Sequence, residues 1–271
     1  MAASWDPELA RTAGRLLGQE SRRKDVHVLL GPTVNLHRTP IGGRNFEYLS
    51  EDPHLTARLA AAYVEGVQST GTGACVKHFA VNNQETDRMR VSAQVDERAL
   101  REVYLRPFEH VVRTARPAVV MSAYNAINGV PASENPWLLT SVLREEWGFD
   151  GVVVSDWGAV NDRVAALRAG LDVEMPPTGT DAEIVAAVER GELEESALDV
   201  VAARLRALEA RIGPARPRAT EEELAGIRRD NAALAREAAA RAAVLLTNDG
   251  GLARILFRTA HCQKNISCKC P

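Results

Sequence analysis

Cysteine is scarce in this 271-residue chain, and three of its four cysteines, Cys262, Cys268 and Cys270, crowd the last ten residues while Cys75 sits alone in an apolar run. That distribution excludes a disulfide framework across the fold. The tail spacing, Cys-x5-Cys-x-Cys, is a poor zinc pattern. No apolar run approaches the roughly 18 to 20 residues a membrane-spanning helix needs. The opening residues MAASWDPELA hold no basic region followed by an apolar segment, so no secretory signal is read and a cytoplasmic protein is expected. Charge of either sign is also lacking in excess. A net charge of -3 gives no electrostatic case for nucleic acid or an anionic membrane as partner. Two further absences bear on fold: there is no internal repeat, and no glycine-rich phosphate fingerprint follows any apolar run.

What is present is a normal core content, 45% hydrophobic, in an alternation of short valine-rich runs and amphipathic stretches. Asp6-Pro7, Asp52-Pro53, Asp96 and Asn135-Pro136 each open a helical period, and Pro107 is expected to kink the third of these helices. Strands are expected at Val26 to Leu30, Ala74 to Val76, Val119 to Ser122, residues 151–154 and Leu171 to Met175. Strands alternating with helices predict a parallel sheet with right-handed crossovers, and the spacing suits an α/β fold of the (β/α) TIM-type barrel class better than a dinucleotide-binding sheet. Helices then follow at 181–190 and 195–212. Residues 213–220 read as a linker, Thr220 with Glu223 as a capping box for a long alanine-rich helix, and VLLTNDGG as a strand and turn.

The chain is organised around GVVVSDWGAV, residues 151–160. A buried parallel strand delivers its following residues to the sheet's C-terminal end, where chemistry collects in such folds. Asp156 is the nucleophile candidate on that ground; the alternative is that it only caps the next helix, with Trp157 as core packing. Lys77 and His78 leave the second strand in the same way and suit hydrogen bonding to a polyol, against a solvated lysine and a histidine satisfied by a backbone carbonyl. A Schiff base at Lys77 is a competing chemistry. Arg44 lies in a polar loop, GPTVNLHRTPIGGRNFEYLSEDP, long enough to suggest service to a site, although a surface arginine fits as well. Tyr124 and Asn125 end the third strand.

Taken together, GPTVNLHRTPIGGRNFEYLSEDP, ACVKHFAVNNQETDR, VVMSAYNAINGVPASEN, LLTSVLREEWGFDGVVVSDWGAV and AARAAVLLTND resemble the barrel domain of glycoside hydrolase family 3, in particular its bacterial β-glucosidases, from about residue 5 to about residue 250. The resemblance implies retaining hydrolysis of β-glucosides at the non-reducing end, with Asp156 as nucleophile and Arg44, Lys77, His78, Tyr124 and Trp157 holding the sugar. It implies no cofactor and no metal. A retaining glycosidase also needs a protonated group about 5 Å from the nucleophile. In this family that group usually sits on an α/β sandwich domain after the barrel, and the branch that uses a histidine after the KHF motif is not matched, since AVNNQETDR has none. The five strands fall three short of a closed barrel. The resulting expectation is a partial barrel over 1–212, a linker helix and first sandwich strand over 213–250, and an irregular tail over 251–271. An unpaired edge at Val26 to Leu30 would favour self-association. The alternative to an enzyme is an inactive sugar-binding module or gene remnant.

Overall fold

In the computed structural model, which describes residues 1–212 and 220–249, helices α1 (Pro7–Arg23) and α2 (Pro53–Gln68) start by the same device. The Asp6 carboxylate accepts the N–H groups of Glu8 and Leu9, Asp52 accepts those of His54 and Leu55, and each is followed by proline at the first helical turn. The two helices pack backbone against backbone. A Cβ on Gly14 would collide with the Tyr63 carbonyl and one on Gly66 with that of Arg11, so only glycine permits this approach.

Between and after these helices run β1 (Val28–Leu29), β2 (Gly73–Phe79), β4 (Val119–Ser122) and β7 (Val152–Val154), all parallel and in the order β1-β2-β4-β7. Their side chains alternate between two apolar layers, as the pleat requires. Ala74, Val76, Val120 and Val153 join the larger core with Phe79, Phe108, Trp147 and residues of α2 and α4 (Arg106–Ala115). Cys75, Val119, Met121 and Val152 form the opposite layer, against which Leu208 of α7 (Ser196–Ile212) packs. This is the α/β, parallel-sheet organisation of a TIM-type barrel.

Several expectations need correction. The strand expected over Leu171 to Met175 is reduced to a single bridge, Val154 to Val173. The reason lies in Asp172: its carboxylate takes the Val153 N–H at 2.7 Å, where a regular ladder would present a backbone carbonyl. At Pro107 the helix adapts through a π-helical turn, Leu100–Tyr104, in which Leu105 N–H reaches back to the Leu100 carbonyl; α3 (Glu97–Ala99) precedes it and α4 resumes after it. A small second sheet was not anticipated: β3 (Ser92–Ala93) lies parallel to β5 (Ala126–Ile127), which forms a hairpin with β6 (Val130–Pro131). Its signal was the Asn128-Gly129 pair, both in left-handed backbone conformation.

Beyond β7, α5 (Arg163–Ala169) is capped by Asp162 and closed by Gly170 at φ 108°, and α6 (Asp181–Glu189) follows. The capping box at Thr220 and Glu223 is present, and α8 (Glu221–Ala242) docks on α1 through Asn231 and Glu20. Val244, Leu245 and Leu246 form no strand and are exposed, having no neighbouring strand among the described residues to pair with. Most of the linker and the cysteine-rich tail lie outside the described residues. No described helix is long and apolar enough to cross a membrane.

Candidate active site

Following the alternation along β7, Asp156 leaves the sheet on the side of Val152 and Val154, at the C-terminal end. Ser155, fully buried, fixes this exit: its N–H donates to the Val173 carbonyl and its hydroxyl accepts the Met175 N–H, both at 2.9 Å. Asp156 is only 6% exposed. Its Oδ1 accepts the Trp157 N–H at 2.7 Å, while Oδ2 has no hydrogen bond of good geometry among the described residues. The helix-cap alternative fails, because the next helix begins at Arg163 and Asp162 caps it. Trp157 is not core packing either; the residue is 44% exposed.

His78 is brought against Asp156 from β2, with Nε2 3.4 Å from Oδ2. The imidazole is buried, and that burial, reinforced by the positive charges of Arg44, Lys77 and Arg88, pushes its pKa down to about 2. His78 is therefore neutral, and its contact with Asp156 is not an ion pair. Arg44 Nη2 lies 3.0 Å from the same Nε2, and Arg44 Nε bonds Glu47. Burial disfavours the charge on Glu47, but its bonds to Arg44 and Thr33 outweigh that and hold its pKa below the usual carboxylate value. Arg44 is thus half-buried and engaged, not a surface arginine.

Tyr124, at the end of β4, faces the same carboxylate: burial and then the Asp156 charge raise its phenol pKa. The Arg88 guanidinium stacks over its ring, 4.6 Å from the centroid, and pairs with Glu85 at 2.8 Å. Lys77 is half-buried, and its ammonium has no hydrogen-bond or ion-pair partner among the described residues. Its field and that of Asp156 converge on Cys75 one layer below, where burial raises the thiol pKa to about 12, with Asp156 adding to the effect and Lys77 opposing it. Arg44, Lys77, His78, Tyr124, Asp156 and Trp157 therefore share one end of the sheet.

Residue reasoning missed Asn35, Glu47, Glu85 and Arg88. Asn35 makes three contacts to His78 from the loop after β1. The length of the loops that hold these residues was the available signal, and those loops are tied together here by Tyr48, whose hydroxyl donates to the Asn82 carbonyl at 2.7 Å. Among the described residues no group of acidic, histidine or cysteine side chains could hold a metal ion.

A parallel α/β sheet thus carries a buried, half-bonded aspartate and several side-chain donors at its C-terminal end. The profile of the glycosyl hydrolase family 3 N terminal domain matches residues 1–208, and the chain belongs to that family. It is 53% identical over 254 residues to the thermostable beta-glucosidase B of Acetivibrio thermocellus, covering 92% of this chain and 33% of that protein. It is 54% identical over 202 residues to the exo-alpha-(1->6)-L-arabinopyranosidase of Bifidobacterium longum, covering 74% of this chain and 27% of that protein. Beta-glucosidase 3B from Thermotoga neapolitana, solved in complex with alpha-D-glucose, matches with a TM-score of 0.81 and 44% identity over 92% of this chain and 36% of that one. The chain thus spans about a third of the length of these relatives.

Proposed function

We propose that this chain carries the nucleophile half of a retaining glycosidase that releases sugars from the non-reducing end of β-glucosides. The observation that carries the reading is Asp156: a buried carboxylate at a strand's C-terminal end, with Oδ1 held by a backbone N–H and Oδ2 without a hydrogen bond of good geometry among the described residues, beside His78, which Arg44 contacts, and Tyr124. In the first step Oδ2 attacks the anomeric carbon, forming a glycosyl ester as the leaving group departs; water then attacks the same carbon and frees the carboxylate. Lys77 and Arg44 bind hydroxyl groups, and Trp157 offers an apolar face to the ring. His78 serves the subsite through Arg44.

The acid/base is assigned outside this stretch of chain. Of the carboxylates in the surrounding loops, Glu47 is bonded to Arg44 and Glu85 to Arg88, so neither offers a proton to a leaving group. Residues 213–250 are read as the connection toward the part of the protein that supplies it. Without it, substrates that need protonation should react about 10²- to 10⁴-fold more slowly. The edge of β1, flanked by exposed Val26 and Leu30, makes self-association of the isolated chain the expected behaviour, checked by sedimentation.

The relationship to an arabinopyranosidase supports a second substrate reading, an α-L-arabinopyranoside in the same subsite. The test is intact-mass trapping with a 2-deoxy-2-fluoro glucoside that bears an activated leaving group, which needs no acid. An adduct on Asp156, lost in Asp156→Asn, is expected. An adduct only with the corresponding arabinopyranosyl reagent selects the second reading. No adduct with either, from folded protein, refutes both and leaves a sugar-binding module or remnant.

A further inference from the structure

The orientation of the Asn35 amide is decided by backbone groups. Its Nδ2 donates to the His78 carbonyl and its Oδ1 accepts the His78 N–H, each at 2.9 Å. A carbonyl only accepts and an N–H only donates, so turning the amide over would break both bonds. Oδ1 is consequently the atom that faces the imidazole, 3.2 Å from Nδ1. An amide oxygen has no hydrogen to give. The contact is a hydrogen bond only if Nδ1 carries the proton.

The other end of the ring imposes the same state. Nε2 lies 3.0 Å from Arg44 Nη2, and a guanidinium is a donor only, so Nε2 must present its lone pair. A proton on Nε2 would face the guanidinium hydrogens, or turn toward Asp156 Oδ2 at 3.4 Å and occupy that acceptor. The charged groups facing the ring are Arg44, Lys77 and Arg88 on one side of the balance and Asp156 on the other. Burial and the three cations keep the ring neutral.

We propose that Asn35 is a positioning residue of this site: by accepting the Nδ1–H bond it fixes His78 as the acceptor for Arg44 and keeps an imidazole N–H off Asp156 Oδ2. A chain of unambiguous donors and acceptors thus runs from the backbone of β2 through Asn35 and His78 to Arg44. Its consequence is that the carboxylate oxygen meant for the ligand is not neutralised by its nearest ring. The significance for turnover rests on the reading of Asp156 as the reacting carboxylate, whereas the tautomer does not.

The experiment is a long-range proton–nitrogen correlation of the imidazoles in the full chain labelled with ¹⁵N-histidine. His78 is assigned by its absence in His78→Gln or, if that variant does not fold, by replacing the other histidines in turn. The wild type should show a protonated, pyrrole-type Nδ1 and a pyridine-type Nε2. In Asn35→Asp, which places a negative charge beside Nδ1, the pyridine-type signal should be lost as the ring takes a second proton. Trapping of the activated fluoroglucoside should slow about 10- to 100-fold in the same variant. An imidazolium or an Nε2–H tautomer in the wild type overturns the proposal whatever the turnover. So does an Asn35→Asp variant with spectrum and rate unchanged. The expected spectrum from a protein that traps no sugar supports the tautomer lock and removes the role given to Asp156 instead.

Discussion

Two buried aspartates flank β7, and their surroundings differ in a way that separates structure from chemistry. Asp172 is saturated: Arg144 donates to it at 2.7 Å, Arg204 of α7 at 2.8 Å and the Val153 N–H at 2.7 Å. Asp156, scarcely more exposed, has one oxygen bonded and one, 3.4 Å from His78 Nε2, without a hydrogen bond of good geometry among the described residues. Leaving a buried acceptor unbonded costs about 1 to 3 kcal/mol, so a fold that tolerates it at one carboxylate and not the other has kept the first for something outside the chain. Arginine is the instrument of the difference. Two guanidiniums converge on Asp172, while Arg44, which reaches the His78 ring beside Asp156, is bonded to Glu47 and His78.

The sharpest way to break the comparison is to replace each aspartate in turn. Asp156→Asn should lower glycosyl transfer from an activated substrate on the order of 10³-fold or more, because the nucleophile itself is removed, with little change in the denaturation midpoint. Asp172→Ala should do the reverse, destabilising the fold by about 3 kcal/mol in urea titration, since it strands the buried charge of Arg144; Arg204, a quarter exposed, is partly relieved by water. A fold equally damaged by both substitutions would erase the distinction.

A smaller effect is expected at Lys77, whose ammonium has no hydrogen-bond or ion-pair partner among the described residues. Lys77→Met should weaken substrate binding by about 1.5 to 3 kcal/mol, the range for a hydrogen bond to a charged group, seen in KM more than in stability. If stability falls and binding does not, Lys77 belongs with Asp172.

The smallest effect is a pH dependence. An unfolded His78 protonates near 6.5, whereas the folded one stays neutral to about 2. Below 6.5 the unfolded state therefore takes up a proton that the folded state refuses, and stability falls as pH drops, by up to about 1.4 kcal/mol per pH unit from this residue. The stabilising contribution is complete above 6.5. Comparing chemical denaturation of wild type and His78→Gln between pH 7 and 5 isolates it; identical pH slopes would mean that His78 is charged in the fold, and the carboxylate beside it would no longer be the unneutralised partner of the pair.

Much of the scaffold was legible in the chain. The Asp-Pro starts of α1 and α2 and the Thr220 capping box are local devices, written within three or four residues of where they act, and the structure repeats them. The apolar runs of β2, β4 and β7 needed only their own composition. Expectations failed where a distant side chain intervened. The strand at Leu171 to Met175 has suitable residues, but Asp172 reaches across to Val153 and replaces the ladder with a side-chain bond. VLL at 244–246 has strand character and no strand beside it among the described residues.

The site divides along the same line. That Asp156, Lys77, His78 and Tyr124 gather at one end follows from sequence alone, because residues after parallel strands emerge on one edge of the sheet. Which carboxylate is saturated, which tautomer His78 adopts and what Arg44 is bonded to were decided only by tertiary structure. The bonds responsible join Asn35 to His78 across 43 positions, Arg44 to His78 across 34 and Arg204 to Asp172 across 32. Periodicity and capping describe neighbours along the chain; charge balance in a buried site depends on neighbours in space, and no local pattern encodes it.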